Sequence, residues 1–145
     1  MIQERSCLKK GDILFSSIGR VGDAYVIRDE PKNWNINESV FALHLARNVD
    51  SDFLYFKIKS TEFRSQMEGA STGSTMNGIK LGHLKRLDVH LPVSIAEQRA
   101  IAKVLGDMDE EIAKLEAKRE KLTGIKKGMM SDLLTGKVRL KTEME

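Results

Sequence analysis

The chain predicts an α+β fold: a small mixed β-sheet domain with helices, followed by a long C-terminal coiled-coil helix. Three observations carry that expectation. Short β-branched and aromatic runs at 13–15, 24–27 and 39–45 have the length and composition of strands. Between Asp52 and Glu68, the residues Leu54, Tyr55, Ile58, Phe63 and Met67 recur at helical spacing. From Ile101 to Leu133 a stripe advances by alternating steps of four and three residues, the frame of a helix seam. These features divide the chain into a globular part, 1–93, and a helical part, 94–145.

In order, Lys9-Lys10-Gly11-Asp12 turns into the buried run Ile13-Leu14-Phe15. A polar turn with two glycines, 16–23, leads to Ala24-Tyr25-Val26-Ile27, so the pair predicts a hairpin. A loop, EPKNWNIN, holds the single Trp before the third strand, Ser39 to Leu45. The helical stretch that follows has a joint at Ser60-Thr61. The segment 69–78 is small and polar and too long for a turn, and the alternation of Leu87, Val89 and Leu91 predicts a last short strand over 84–92. No internal repeats are present.

The helical part opens with Ser94-x-x-Glu97, the pattern of a capping box. Its seam comprises Ile101, Leu105, Met108, Ile112, Leu115, Arg119, Leu122, Lys126, Met129 and Leu133, with Arg119 and Lys126 standing where the frame expects apolar side chains. Asp109, Glu111, Glu116 and Lys118 form a charged rim, and Gly136 supplies a left-handed stop. A helix over 107–135 would be about 43 Å long at 1.5 Å per residue. That exceeds the 25–30 Å or so expected across the preceding domain. Such a helix is expected to project and to need a partner helix, and the seam is read as a dimerisation surface. An amphipathic helix folded back on its own domain is the alternative. The cationic seam positions favour a specified register over maximal stability.

Composition narrows the class further. Of 145 residues, 41% are hydrophobic and 31% charged, and the formal net charge is +3. The excess is spread thinly, with thirteen basic against eleven acidic residues in 1–93 and eleven against ten in 94–145. So mild an excess is compatible with nucleic acid without demanding it. The single Cys7 fits a reducing setting and no apolar run reaches membrane-spanning length, so a cytoplasmic protein with no membrane partner is expected.

Residues suited to catalysis are not arranged for it. Gly73 and Gly78 have the glycine spacing of a phosphate loop, but Ile79 stands where its lysine belongs. His44, His83 and His90 are scattered, and none is at metal-ligand spacing with Cys7 or a carboxylate. Ser16 and Ser17 lack the Gly-x-Ser-x-Gly frame of a nucleophile elbow. No enzyme, cofactor or metal is expected.

Several stretches nevertheless resemble a known family. Gly11-Asp12-Ile13-Leu14-Phe15-Ser16, Gly19-x-x-Gly22 and Asn37-x-Ser39-Val40 are similar to the second half of a target recognition domain. That is the DNA-reading domain in specificity subunits of type I restriction–modification systems. Asp52-Phe53-Leu54-Tyr55-Phe56 and Ser71-Thr72-Gly73-Ser74-Thr75 continue the match. Leu91-Pro92 running into Ala96-Glu97-Gln98-x-x-Ile101-Ala102 resembles the junction into the family's spacer helix, and Leu133-Leu134-Thr135-Gly136-Lys137-Val138-Arg139 resembles that helix's end.

The resemblance implies a non-catalytic module for DNA target recognition and assembly. Members carry two recognition domains and two antiparallel spacer helices, and they bind two methyltransferase subunits. One recognition unit without its N-terminal half implies a truncated or half specificity subunit. Its expected partners are double-stranded DNA, methyltransferase subunits, and either a second copy or another specificity polypeptide. The expected DNA contacts are the loop residues Ser17, Arg20, Ser71, Thr72, Ser74, Thr75, Asn77 and Lys80. Arg suits guanine edges, and hydroxyls, amide and Lys suit phosphates or base edges. Antiparallel pairing about a centre near Glu120 would hold two recognition surfaces roughly 40 Å apart, near one turn of duplex. A protein–protein adaptor whose globular part does not touch DNA is the rival reading.

Overall fold

The computed structural model describes residues 7–70 and 78–141. The chain forms two compact units, Met1–Val104 and Leu105–Glu145. The first therefore takes in the opening turns of the C-terminal helix.

In the first unit β1 (Ile13–Ser16) is the middle strand, between β2 (Ala24–Val26) and β3 (Val40–Leu43). Both pairings are antiparallel, setting Leu14 opposite Tyr25 on one side and Ala42 on the other. Successive side chains of a strand point to opposite faces, so Ile13 and Phe15 fall together, both fully buried with Val26. Beyond the strand the ladder is extended by Gly11 N–H to the Ile27 carbonyl and Ile27 N–H to the Asp12 carbonyl, each 2.9 Å.

The β1–β2 turn depends on left-handed backbone at Gly19 (φ 77°) and Gly22 (φ 89°). At Gly22 a Cβ would lie 2.7 Å from the Met67 Cε. The missing side chain thus lets the turn close against α2.

Helix α1 (Ser51–Lys59) starts at Asp50, whose carboxylate accepts from the N–H groups of Asp52 and Phe53. This satisfies two of the donors that a helix start leaves open. At Ser60 the backbone turns extended (ψ 151°). The Ser60 hydroxyl donates to the Lys57 carbonyl at 2.7 Å and accepts from Phe63 N–H at 3.3 Å. One side chain therefore ends α1 and begins α2 (Thr61–Ala70), at the joint that the sequence indicates. Ile58, Phe63 and Met67 bring the two helices onto the sheet, where they join Ile13, Phe15, Val26 and Ile79 in one core. Burying each such large side chain is worth roughly 1.5–3 kcal/mol.

The strand expected over 84–92 does not form. A short helix, α3 (Leu81–Leu84), is followed by irregular backbone. Leu84, Leu87 and Val89 still pack against the core, which accounts for their alternation. In place of a strand ladder, the Gln66 amide serves Asp88: its Oε1 accepts from Asp88 N–H at 2.9 Å and its Nε2 donates to the Asp88 carbonyl at 3.1 Å.

Helix α4 (Ile95–Leu134) is 40 residues long. The Ser94 carbonyl accepts its first bond, from Gln98 N–H, making Ser94 the cap residue. Within the first unit Gln98 and Ala102 are buried. The Gln98 Nε2 donates to the carbonyls of Asn48 (3.1 Å) and Pro92 (2.8 Å), and its Oε1 accepts from Asp50 N–H (2.8 Å). The second unit consists mainly of the rest of α4, ended by Gly136 at φ 73° and by Val138 N–H bonding the Asp132 carbonyl. No helix among the described residues is long and apolar enough to cross a membrane.

Candidate nucleic-acid interface

The expected DNA contacts begin on the β1–β2 turn, which its two glycines hold beside the C-terminal half of α2. Ser17 is only 2% exposed. Its hydroxyl donates to the Ser39 carbonyl at 2.9 Å and its N–H to the same oxygen at 2.8 Å. Its own carbonyl accepts from Ile79 N–H at 2.9 Å, next to a bridge between Ile18 and Gly78. So Ser17 ties β1 to the start of β3 and to the backbone at Ile79, and its hydroxyl does not face solvent. The expectation of a direct DNA contact fits Ser17 poorly, because a buried, bonded hydroxyl has nothing to offer a base edge.

Arg20 is exposed on the same turn. Lys80 is exposed too, at the residue before α3, where its carbonyl accepts from the N–H groups of His83 and Leu84. That leaves the ammonium clear of the capping role. Ser71, Thr72, Ser74, Thr75 and Asn77 lie outside the described residues.

Arg20 borders a cleft of about 420 Å³ lined by Gly19, Val21, Asp23, Arg64, Met67, Glu68, Gly78 and Ile79 as well. Met67 and Ile79, both buried core residues, give it an apolar floor. Its charged lining residues are two arginines, Arg20 and Arg64, and two acids, Asp23 and Glu68. Arg64 is expected from the sequence only as part of an alternative DNA face with Lys57 and Lys59 on the helical stretch, and Asp23 and Glu68 belong to neither set. Arg64, Met67 and Glu68 are three and four residues apart on one helix face, the only signal that could have drawn the two charged residues into this site.

Two other cations of the region are engaged locally. Lys57 bonds Glu62 at 2.6 Å, and this hydrogen bond, with the Lys57 charge behind it, holds the Glu62 carboxyl below its usual range. Lys59 bonds the Tyr55 hydroxyl at 2.9 Å and lies over its ring. Among the described residues no His, Cys, Asp or Glu cluster could hold a metal ion.

On α4 the seam faces solvent for most of its length. Met108, Ile112, Leu115, Leu122 and Met129 are each more than half exposed, Ile101 and Leu105 somewhat less, and Leu133 is half-buried. Arg119 and Lys126 are exposed as well, and with Leu115, Lys118, Leu122 and Thr123 they outline a shallow groove on the helix surface. Single exposed apolar residues need no explanation, whereas a run of this length on one face is the pattern that interaction surfaces have.

Comparison with known proteins covers both the sheet unit and much of the helix. The family model for the type I restriction modification DNA specificity domain matches residues 3–123, taking in the sheet unit and the helix past the middle of its seam. A protein provisionally named as the MjaX type I restriction enzyme specificity subunit of Methanocaldococcus jannaschii is 33% identical over 141 residues, 86% of this chain. The MjaVIII specificity subunit of the same organism is 29% identical over 96 residues, 66% of this chain. The chain spans 30% and 22% of the lengths of those two relatives. With the α+β architecture and the long helix in place, the chain belongs to the type I restriction modification DNA specificity domain family.

Proposed function

We propose that this chain is a non-catalytic module for DNA target recognition and assembly in a type I restriction–modification complex, and that it acts in the cytoplasm. The observation that carries the reading is the family match over residues 3–123, which runs without interruption from the sheet unit into the helix. The sheet unit contacts the duplex. Arg20 and Lys80 are the leading described contacts, Arg64 joins them at the cleft, and Ser71, Thr72, Ser74, Thr75 and Asn77 supply hydroxyls and an amide. Ser17 acts behind them, holding the turn and the backbone at Ile79 together. The helix seam pairs antiparallel with a second copy or another specificity polypeptide, and methyltransferase subunits of the same system are the further partners.

Duplex binding by the isolated chain as a function of salt is the decisive measurement. Each phosphate neutralised adds about 0.9 to the slope of log affinity against log salt. Replacing Arg20 and Lys80 together with Ala should weaken binding and make the slope shallower by about one unit per lost contact. An unchanged slope would move the DNA face elsewhere on the unit. No salt-dependent binding by the wild-type chain would favour the adaptor reading.

A further inference from the structure

The ten seam positions of α4 carry more information than that the helix pairs: they fix the register. We infer that two copies of this chain pair antiparallel about a two-fold axis at Ala117, with Arg119 of each copy meeting Glu116 of the other and Lys126 meeting Asp109. This rests on the proposed self-association and goes beyond it by naming the pairing.

The seam starts at Ile101 and ends at Leu133, one residue before α4 itself ends. Its steps alternate four and three and read the same in both directions. A reversed copy therefore meshes along the whole seam only when the axis lies at its midpoint, Ala117. The layers are then Ile101 with Leu133, Leu105 with Met129, Met108 with Lys126, Ile112 with Leu122, and Leu115 with Arg119 of the opposite copy. A centre near Glu120 moves the pairing by one heptad. Ile101 and Leu105 then face residues near 140 and 136, beyond the end of the helix. A shift the other way strands Met129 and Leu133. Both alternatives leave exposed apolar side chains without a partner.

Charge selects the same register. Arg119 is layered with Leu115 of the other copy, and the next residue there is Glu116. Lys126 is layered with Met108, and the next residue is Asp109. In an antiparallel pair the rim beside one such seam column faces the same rim of the partner, so each cation reaches an acid across the interface. Centring near Glu120 sets Arg119 beside Thr123 instead and leaves only the Lys126–Glu116 contact. Parallel pairing would put Arg119 against Arg119 and Lys126 against Lys126, and like charges in one layer repel. Each cation is thus placed where it penalises the wrong arrangements, as polar seam residues do when they specify register.

The test uses the full chain with Cys7→Ser throughout. In the first arm, cysteines at Ile112 and Leu122 should give covalent dimers under mild oxidation, while cysteines at Ile112 and Met129 should not. Disulfide geometry tolerates little displacement. In the second arm, Arg119→Glu with Lys126→Glu should weaken self-association about tenfold or more by sedimentation, since four modest attractions become repulsions. Adding Glu116→Arg and Asp109→Lys should restore it. Cross-linking through Ile112 and Met129 with none through Ile112 and Leu122 would overturn the register and leave antiparallel pairing standing. A wild-type chain that stays monomeric at micromolar concentration would overturn both.

Discussion

Gln98 shows how much can rest on one side chain. It fills a buried position on the first turn of α4, and its amide satisfies two carbonyls and one backbone N–H in the first unit. Removing one partner from buried polar groups costs more than the bond itself was worth, because the groups left behind stay desolvated. Gln98→Ala should therefore cost about 3 kcal/mol, read as a lower denaturant midpoint with an unchanged slope. Gln98→Glu keeps the shape but sets a carboxylate oxygen against the carbonyls of Asn48 and Pro92, so it should do at least as much harm. Glu62 is a milder case. Its pKa is lowered mainly by the hydrogen bond from Lys57 and then by that lysine's charge. A carboxyl lowered by folding adds stability above its unfolded pKa and loses it as pH falls through the folded value. The contribution is small because the pair is solvent-screened, yet the titration itself is measurable. In Lys57→Met the Glu62 midpoint should rise toward the ordinary carboxylate value in an NMR titration. An unmoved midpoint would mean that Lys57 is not the cause.

At the scale of elements, the features legible in the sequence are those that local chemistry decides. The three strands stand out because Ile13, Phe15 and Val26 of β1 and β2 bury one face of the sheet and Phe41 and Leu43 of β3 pack partly against it, and strands that pack this way need such residues. Ser60 marks a joint because its hydroxyl can serve two helix ends at once. The stretch around Leu87 and Val89 was misleading for a physical reason. Alternating burial says that side chains pack, but not whether the backbone pairs with a strand or with Gln66. Ser17 was misread because a hydroxyl in a turn has the same sequence signature whether it points inward or outward, and only the partner at Ser39 decides. The cleft was half legible: Arg20 stands out on a glycine turn and Arg64 among the cations of the helical stretch, but that the two share one cleft required knowing that α2 packs beside that turn. The long helix α4 was legible, since an apolar frame of 3.5 residues kept over that length declares a helix without help from the rest of the fold. Leu115→Glu with Leu122→Glu sets four carboxylates into the middle layers of the pair. It should leave monomers by sedimentation at micromolar concentration, with the first unit's near-UV spectrum unchanged. Dimers that persist would place self-association on another surface.

For the whole molecule, the relation between oligomer and DNA target follows from symmetry alone. The chain spans 30% or less of the two relatives from Methanocaldococcus jannaschii, and its described residues hold one sheet unit and one long helix. If two identical copies pair through an antiparallel seam, the complex has a two-fold axis and presents the same recognition surface twice in opposite senses. A duplex bound by both surfaces must then carry two inverted copies of one short half-site, separated by base pairs that neither unit reads. Selection from a pool of random duplexes should accordingly enrich an inverted repeat with a fixed gap. The Leu115→Glu, Leu122→Glu variant should lose the dependence on that gap and bind a single half-site more weakly, with a shallower salt slope because fewer phosphates are engaged. Enrichment of a direct repeat by the wild-type chain would be incompatible with two-fold pairing of identical copies. Enrichment of an asymmetric split site would mean that the second surface comes from a different polypeptide, and mixing this chain with that polypeptide should then convert one target into the other.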